Sequence, residues 1–261
     1  MKTFERTFDN AVIDYDKTRP DYIKELYDDI LQYKEIDARS RVLEIGIGTG
    51  KATGPILEKQ CCVVGIEPGK QLADFTREKF RGYSNFFLYN QTLQDYECPA
   101  GTYDLIYAAT AFHWIPEEYG YRRVHELLKK GGAFARFAYH AGKDKKREGL
   151  ALELKGLYEK HMHATSEPKE YDENDAEKLA QIAGNYGFSD IKYKLYHWTK
   201  DFTAEEYMGL LKTYPDHMAL EEPVRESFFH EIRNAIDRHG GVITVHYTMD
   251  LQLARKRQMG F

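Results

Sequence analysis

Two carboxylates and three glycines carry the first chemical signal in this chain. Glu44 stands in RVLEIGIGTGKATG (41–54), two positions before Gly46, and Gly48 and Gly50 follow at alternate positions. Glu67 lies 23 positions after Glu44, in VVGIEPGK (63–70). Alternating glycines let backbone approach a ligand closely. A carboxylate at the mouth of such a loop repels a diphosphate and attracts an ammonium or a sulfonium. A second acid, at the tip of the next strand, accepts both hydroxyls of a ribose and disfavours a ribose 2′-phosphate. Together the two acids describe a site for a cationic nucleoside.

Competing ligands for a glycine loop fit less well. The dinucleotide fingerprint has its third glycine three positions after the second, whereas this loop reads G-x-G-x-G with the next glycine at Gly54. No Gly-Lys-Ser/Thr follows at phosphate-loop spacing. The nucleoside that carries both an ammonium and a sulfonium is S-adenosylmethionine (SAM). Methyl transfer from it is a displacement at carbon that mainly requires alignment of nucleophile, methyl and sulfur. A carboxylate acceptor needs no base, whereas an amine, phenol or carbon acid does.

The elements that position these groups follow from periodicity. Pro20 opens a helix with Ile23, Leu26, Tyr27, Ile30 and Leu31 on one face. Strands are expected at Arg41–Ile45, Cys62–Glu67, Phe86–Tyr89, Asp104–Ala109 and Ala133–Tyr139. Helices lie between them: one running to about Gln60, Lys70–Phe80, and Glu117–Lys130 with Gly131-Gly132 as its stop. Strands apolar on both faces and alternating with helices predict a doubly wound, mostly parallel α/β sheet, which binds ligands beyond the carboxyl ends of its strands. A helix follows over 143–164, then a polar link Thr165–Asp175 and a helix ending at Gly187. Ile191, Tyr193 and Leu195 alternate as a strand. Thr203-Ala204-Glu205-Glu206 forms a capping box, and a helix runs from Pro223 to His239. Ile243 to Leu253 alternates strictly, so the last two strands form an antiparallel pair on the sheet edge, with the helices between as a cap. The expectation is a seven-stranded Rossmann-like sheet with an antiparallel last strand and a helical cap inserted after the fifth. It forms one domain: an N-terminal cap segment 1–35, a cofactor core 36–142, and cap elements with the last strands 143–261.

Several motifs together resemble the class I SAM-dependent methyltransferases. LEIGIGTG is similar to the first motif of that family, GIEPGK to its ribose motif, DLIYAATAFHWI to the fourth strand and its loop, and LLKKGGAFA to the turn into the fifth. FDNAVIDYDKTRPDY and the AFHW tetrapeptide resemble a small-molecule subgroup similar to trans-aconitate methyltransferases. The resemblance implies that Glu44 and the Gly46, Ile47, Gly48 and Gly50 backbone hold the methionine part of SAM. It gives the ribose to Glu67 beside Pro68, and adenine to Thr92 and Leu93, although an acidic residue is common where this chain has Thr92-Leu93-Gln94. Ala109 lies against the methionine moiety, and Tyr15 and Arg19 fold over the cofactor.

Substrate-side candidates come after the fourth strand and from the cap. His113 is either a general base or substrate donor, or a loop histidine bonded to backbone. Trp114 is a pocket wall. Arg136, in a fifth strand, requires an anionic partner, which is either substrate or a neighbouring acid. Tyr139 ends that strand, and Tyr214 and His217 close a cap helix, as pocket lining or as core. Arg19 and Arg136 make a carboxylate the expected acceptor. The Asn/Asp-Pro-Pro-aromatic motif of nucleic-acid amine methylation is absent after the fourth strand, as is the nucleophilic cysteine of cytosine-C5 chemistry. A SAM-binding protein without transfer activity, an N- or C-methyltransferase and a nicotinamide oxidoreductase are the alternatives.

Composition narrows the class further. The 261 residues carry 37 Lys+Arg against 42 Asp+Glu, a net charge of −5, opposite in sign to most chains that live on nucleic-acid phosphates. Lys143, Lys145, Lys146 and Arg147 read as a solvated helix start. Cys61, Cys62 and Cys98 have no metal-ligand spacing, so no metal is expected. The first two read as buried strand thiols, which fits a reducing cytosol. MKTFERTFDN lacks the apolar core of a signal peptide, and no run approaches the ~20 residues of a membrane span.

Overall fold

The apolar runs of the sequence form the strands of one seven-stranded sheet. The computed structural model describes residues 12–163 and 170–257. The aperiodic first eleven residues and positions 165–169 of the polar link lie outside the described residues. The strands are β1 (Arg41–Ile45), β2 (Cys62–Ile66), β3 (Phe86–Tyr89), β4 (Tyr103–Ala109), β5 (Leu128–Gly142), β6 (Phe188–Thr203) and β7 (Val242–Lys256). Their order is β3-β2-β1-β4-β5-β7-β6. β1 is parallel to β2 and β4, β2 to β3, and β4 to β5, and the last strand is antiparallel. The order reverses between β1 and β4, the switch point at which an open sheet of this kind leaves a crevice. From their second residue on, β1 and β2 are buried on both faces, whereas the edge strand β3 alternates half-buried and exposed positions.

The helices are α1 (Val12–Thr18), α2 (Lys24–Tyr33), α3 (Gly54–Leu57), α4 (Lys70–Lys79), α5 (Glu117–Leu127), α6 (Glu148–Met162), α7 (Glu173–Gln181), α8 (Ala204–Leu211), α9 (Pro215–Met218) and α10 (Glu222–Arg238). Three differ from the sequence expectation. Helix α1 lies in a stretch read as aperiodic. Helix α2 begins at Lys24 rather than at Pro20, because Ile23 is extended and Tyr22 is held by the Thr110 hydroxyl at 2.8 Å and by the edge of Phe137. Helix α3 is a single turn behind Pro55, because the glycine loop and its following turn use up the residues before it. Helix α5 stops at Leu127, and β5 starts at Leu128, with Gly131 at φ +73° inside the strand.

The chain divides into two compact units. The core unit comprises Asp21–Ala138, Asp172–Leu195 and Asp250–Phe261, and the helical unit comprises Met1–Pro20, Tyr139–Tyr171 and Tyr196–Met249. β5, β6 and β7 contribute residues to both. In the core unit Leu43, Val64, Ile106 and Phe134 pack with Tyr121, Val124 and Leu127 of α5. In the helical unit α10 packs on α6 and α8, burying Phe228, Ile232 and Ile236.

The capping box expected at Thr203 is present: the Thr203 hydroxyl accepts the Glu206 N–H at 3.2 Å, and the Glu206 carboxylate accepts the Thr203 N–H at 2.8 Å. Thr203→Ala should cost about 1 kcal/mol, read as a lowered urea midpoint with unchanged slope, and Thr203→Ser should retain most of it.

Candidate functional site

The carboxyl end of β1 is built around Glu44. Register places Glu44 beside Gly65 of β2 and Tyr107 of β4, so its side chain sits at the switch point, 1% exposed. One carboxylate oxygen accepts the Thr53 hydroxyl and the Tyr107 hydroxyl, each at 2.6 Å. Burial raises this carboxyl to about 7, against the two hydrogen bonds that favour its ionised form; nearby Glu67 raises it further and Lys79 lowers it. An acid so placed is ready to ionise fully beside a cation.

The loop after β1 holds its three glycines for different reasons. All have positive φ: +67° at Gly46, +55° at Gly48 and +72° at Gly50. A Cβ on Gly46 would stand 2.6 Å from Cβ of Ala111, and one on Gly50 would stand 2.3 Å from the Phe80 ring. Around Gly48 no protein atom lies within 4 Å of that position, so this glycine leaves room in front of the loop. Ile47 is buried against Gly65 and so contributes backbone. The Thr49 hydroxyl is buried without a hydrogen-bond partner.

Glu67 follows β2 and faces this loop. Its two carboxylate oxygens accept the N–H groups of Gly48, at 2.9 Å, and Gly69, at 2.8 Å. Asn90 donates to the carbonyls of Glu67 and Pro68, fixing the strand tip. After β3, the Thr92 hydroxyl donates to Asp95 at 2.6 Å and Leu93 is buried. Asp95 supplies the carboxylate that Thr92-Leu93-Gln94 lacks. Sequence reasoning missed it because it comes one residue later and is brought back only by the turn, in which the Asp95 N–H donates to Thr92.

Ala109 closes β4, and Thr110 takes φ +53° with its N–H on the Phe137 carbonyl at 2.7 Å. A threonine in this conformation is strained, and the Tyr22 hydroxyl bonds its side chain. A 3-10 turn, Phe112–Trp114, follows. Phe112 is core, His113 is exposed, and Trp114 is 38% exposed with its ring 4.9 Å from that of His113. Arg136 departs from expectation. It is half-buried, and its printed partners are the Tyr121 hydroxyl at 3.2 Å and the Phe112 ring, not a carboxylate. A phenol and a ring face satisfy a guanidinium that keeps part of its hydration.

The remaining candidates belong to the helical unit. Arg19, 7% exposed, donates to the Thr213 hydroxyl and carbonyl, both at 2.8 Å, and to the Tyr139 hydroxyl at 3.4 Å. Its guanidinium lies over the rings of Tyr214 and Tyr15. Tyr15, Arg19, Tyr139 and Tyr214 are therefore one cluster, and His217 lies beside Tyr214. Among the described residues no group of three or more potential ligand side chains could hold a metal, and no helix is long and apolar enough to cross a membrane.

Comparison with known proteins agrees with this geometry. Residues 42–132 match the model of a methyltransferase domain. An uncharacterised methyltransferase of Geobacillus thermodenitrificans is 31% identical over 192 residues, covering 72% of this chain and 87% of that protein. One from Schizosaccharomyces pombe is 22% identical over 246 residues, covering 88% and 87%. A phosphoethanolamine N-methyltransferase of Haemonchus contortus, solved with S-adenosylhomocysteine, superposes with a TM-score of 0.58 at 15% identity. That match covers 99% of this chain and 61% of that one. The chain belongs to the class I SAM-dependent methyltransferase family.

Glu44 makes stability depend on pH. The folded state holds this proton to about pH 7, whereas the unfolded chain releases it near 4.5. Between those values the unfolded state binds fewer protons, so stability from this group is full below 4.5 and is lost as pH rises through 7. Urea titrations across pH 4–8 should show that loss in the wild-type protein and a flatter profile in Glu44→Gln; equal slopes would contradict the buried acid.

Proposed function

We propose that this SAM-dependent methyltransferase acts on a small-molecule acceptor, and that the crevice of the core unit is its cofactor site. The observation that carries the reading is the pairing of two acids around an open glycine: Glu44 buried at the switch point, Glu67 bonded to the Gly48 N–H, and free space in front of Gly48. Backbone of Gly46, Ile47, Gly48 and Gly50 with Glu44 would hold the methionine part, Glu67 and Pro68 the ribose, Thr92 and Leu93 with Asp95 the adenine, and Ala109 the methionine chain. The orphaned Thr49 hydroxyl fits a polar ligand at this loop. When bound, SAM supplies a methyl group on a positively charged sulfur that departs as a neutral thioether.

The residues of the chain orient and dehydrate. The Glu67 carboxylate keeps the loop crown in place through Gly48, and its oxygens are the acceptors available to a diol. His113 and Trp114 would form the acceptor-side rim after β4. The reading stands without Tyr15 and Arg19, whose printed contacts are within the helical unit. Carboxylate O-methylation keeps one support, the Arg136 cation with no printed acidic partner. The net charge of −5 supports an acceptor other than nucleic acid, and three free cysteines support a cytosolic setting.

Two substitutions test the cofactor site. Gly48→Ala adds a methyl group where the protein has none, so the fold should survive with strain of about 1 kcal/mol, while SAM affinity falls severely. Glu67→Gln should weaken SAM roughly ten- to a hundredfold, as loss of a charged acceptor does. Calorimetric titration reads both; unchanged affinity in both would contradict the assignment. Incubation of the wild-type protein with SAM and a small-molecule cell extract should yield S-adenosylhomocysteine, and its absence would favour a binding protein without transfer.

A further inference from the structure

A cavity of about 420 Å³ lies within the helical unit, and a chain of hydrogen bonds leads from its wall to solvent. Its apolar lining includes Leu154, Leu210 and Val245, and its polar lining includes Tyr158, Tyr207 and His217. His217 is 4% exposed, yet it has a polar partner on each ring nitrogen. Nδ1 is 2.9 Å from the Asp216 carboxylate and Nε2 is 2.9 Å from the Tyr158 hydroxyl. The Asp216 side chain is 65% exposed. The Phe228 ring, stacked on His217 at 5.9 Å, backs the imidazole.

The directions of these bonds follow from the chemistry of the groups. The His217 hydrogen bond holds the Asp216 carboxyl below its usual range, against the opposing effect of burial. An ionised carboxylate only accepts, so Nδ1 carries the imidazole proton and Nε2 presents its lone pair. Tyr158 therefore donates to Nε2, and its own oxygen is left to accept a proton donor. Tyr207 also hydrogen-bonds Tyr158. The titratable groups facing this pair are Asp216, Tyr207 and Tyr214; Phe228 and Phe229 complete the surroundings of the histidine.

We propose that this cavity receives the methyl acceptor and that Tyr158, backed by His217 and Asp216, takes the proton from its nucleophilic atom. The acceptor is then a small molecule methylated at a hydroxyl or amine, and not at a carboxylate. The inference rests on the methyltransferase reading above. In the step, the acceptor X–H bond breaks and its electron pair stays on X. The proton passes to the Tyr158 oxygen as the Tyr158 proton passes to Nε2 of His217, and Asp216 holds the resulting imidazolium at Nδ1. The X–carbon bond forms as the methyl–sulfur bond breaks with its electrons on sulfur. A carboxylate acceptor would have no use for such a relay.

The test uses SAM labelled in its methyl group, a small-molecule cell extract, and the wild-type, His217→Gln and Asp216→Asn proteins. Methyl esters release labelled methanol in mild alkali, whereas methyl ethers and methylamines do not. The wild-type product should be alkali-stable. In His217→Gln the rate at neutral pH should fall about a hundredfold or more and recover as pH is raised, with SAM affinity unchanged. Asp216→Asn, altered at an exposed side chain, carries the same test with a smaller loss should His217→Gln not fold. Nitrogen-15 NMR of labelled histidine needs no substrate and should show His217 protonated at Nδ1. Alkali-labile label, a rate for His217→Gln within threefold of wild type, or protonation at Nε2 alone would overturn the inference while leaving methyl transfer in place. Absence of any transfer by the wild-type protein would overturn the proposed function and this inference with it.

Discussion

A carboxylate buried between two parallel strands organises the core of this protein. Glu44 on β1 is bonded to Tyr107 on β4 and to Thr53 beyond the glycine loop. One side chain thus ties together the two strands whose loops diverge at the switch point and the loop that leaves the first of them. Burying an acid at this depth disfavours its charge, and the two hydroxyls offset only part of that. The result is an electrostatic preference built into the fold: the crevice favours a ligand that brings positive charge and disfavours one that brings a diphosphate. Glu67 extends that preference along the crevice and at the same time holds the Gly48 and Gly69 N–H groups in place.

Much of this was legible in the sequence, because the signals are local. The β1 motif, the second acid and the apolar two-faced strands are written in short consecutive stretches, and the parallel pairing follows from them. The capping box at Thr203 was equally readable, since its partners are three residues apart. Helix α1 was not, since seven residues give too few turns for a period to show. Helix α2 was placed too early because the pull of Thr110 on Tyr22 is a contact 88 positions away. Arg136 was given an acidic partner on the premise of full burial; partial exposure lets a phenol and a ring suffice.

The helical unit shows the same limit more sharply. His217 and Tyr158 are 59 positions apart, and nothing in their spacing announces a hydrogen bond. The Asp216-His217 dipeptide was the one available hint, and by itself it names no third member. Arg19 looked like a cofactor clamp from its aromatic neighbours. Its guanidinium is in fact occupied by Thr213 and Tyr139, an arrangement that orders the helical unit and removes one of the two cations on which a carboxylate acceptor had rested. The chemistry of the acceptor is therefore better sought in the Tyr158–His217–Asp216 chain than in the arginines.

The central claim is the charge preference of the core crevice. Side-by-side calorimetric titration of the unmodified protein with SAM and with NADH tests it most directly. Tight binding of the sulfonium nucleoside with no measurable heat from the dinucleotide is the predicted result. Tight binding of the dinucleotide with none of SAM would contradict it.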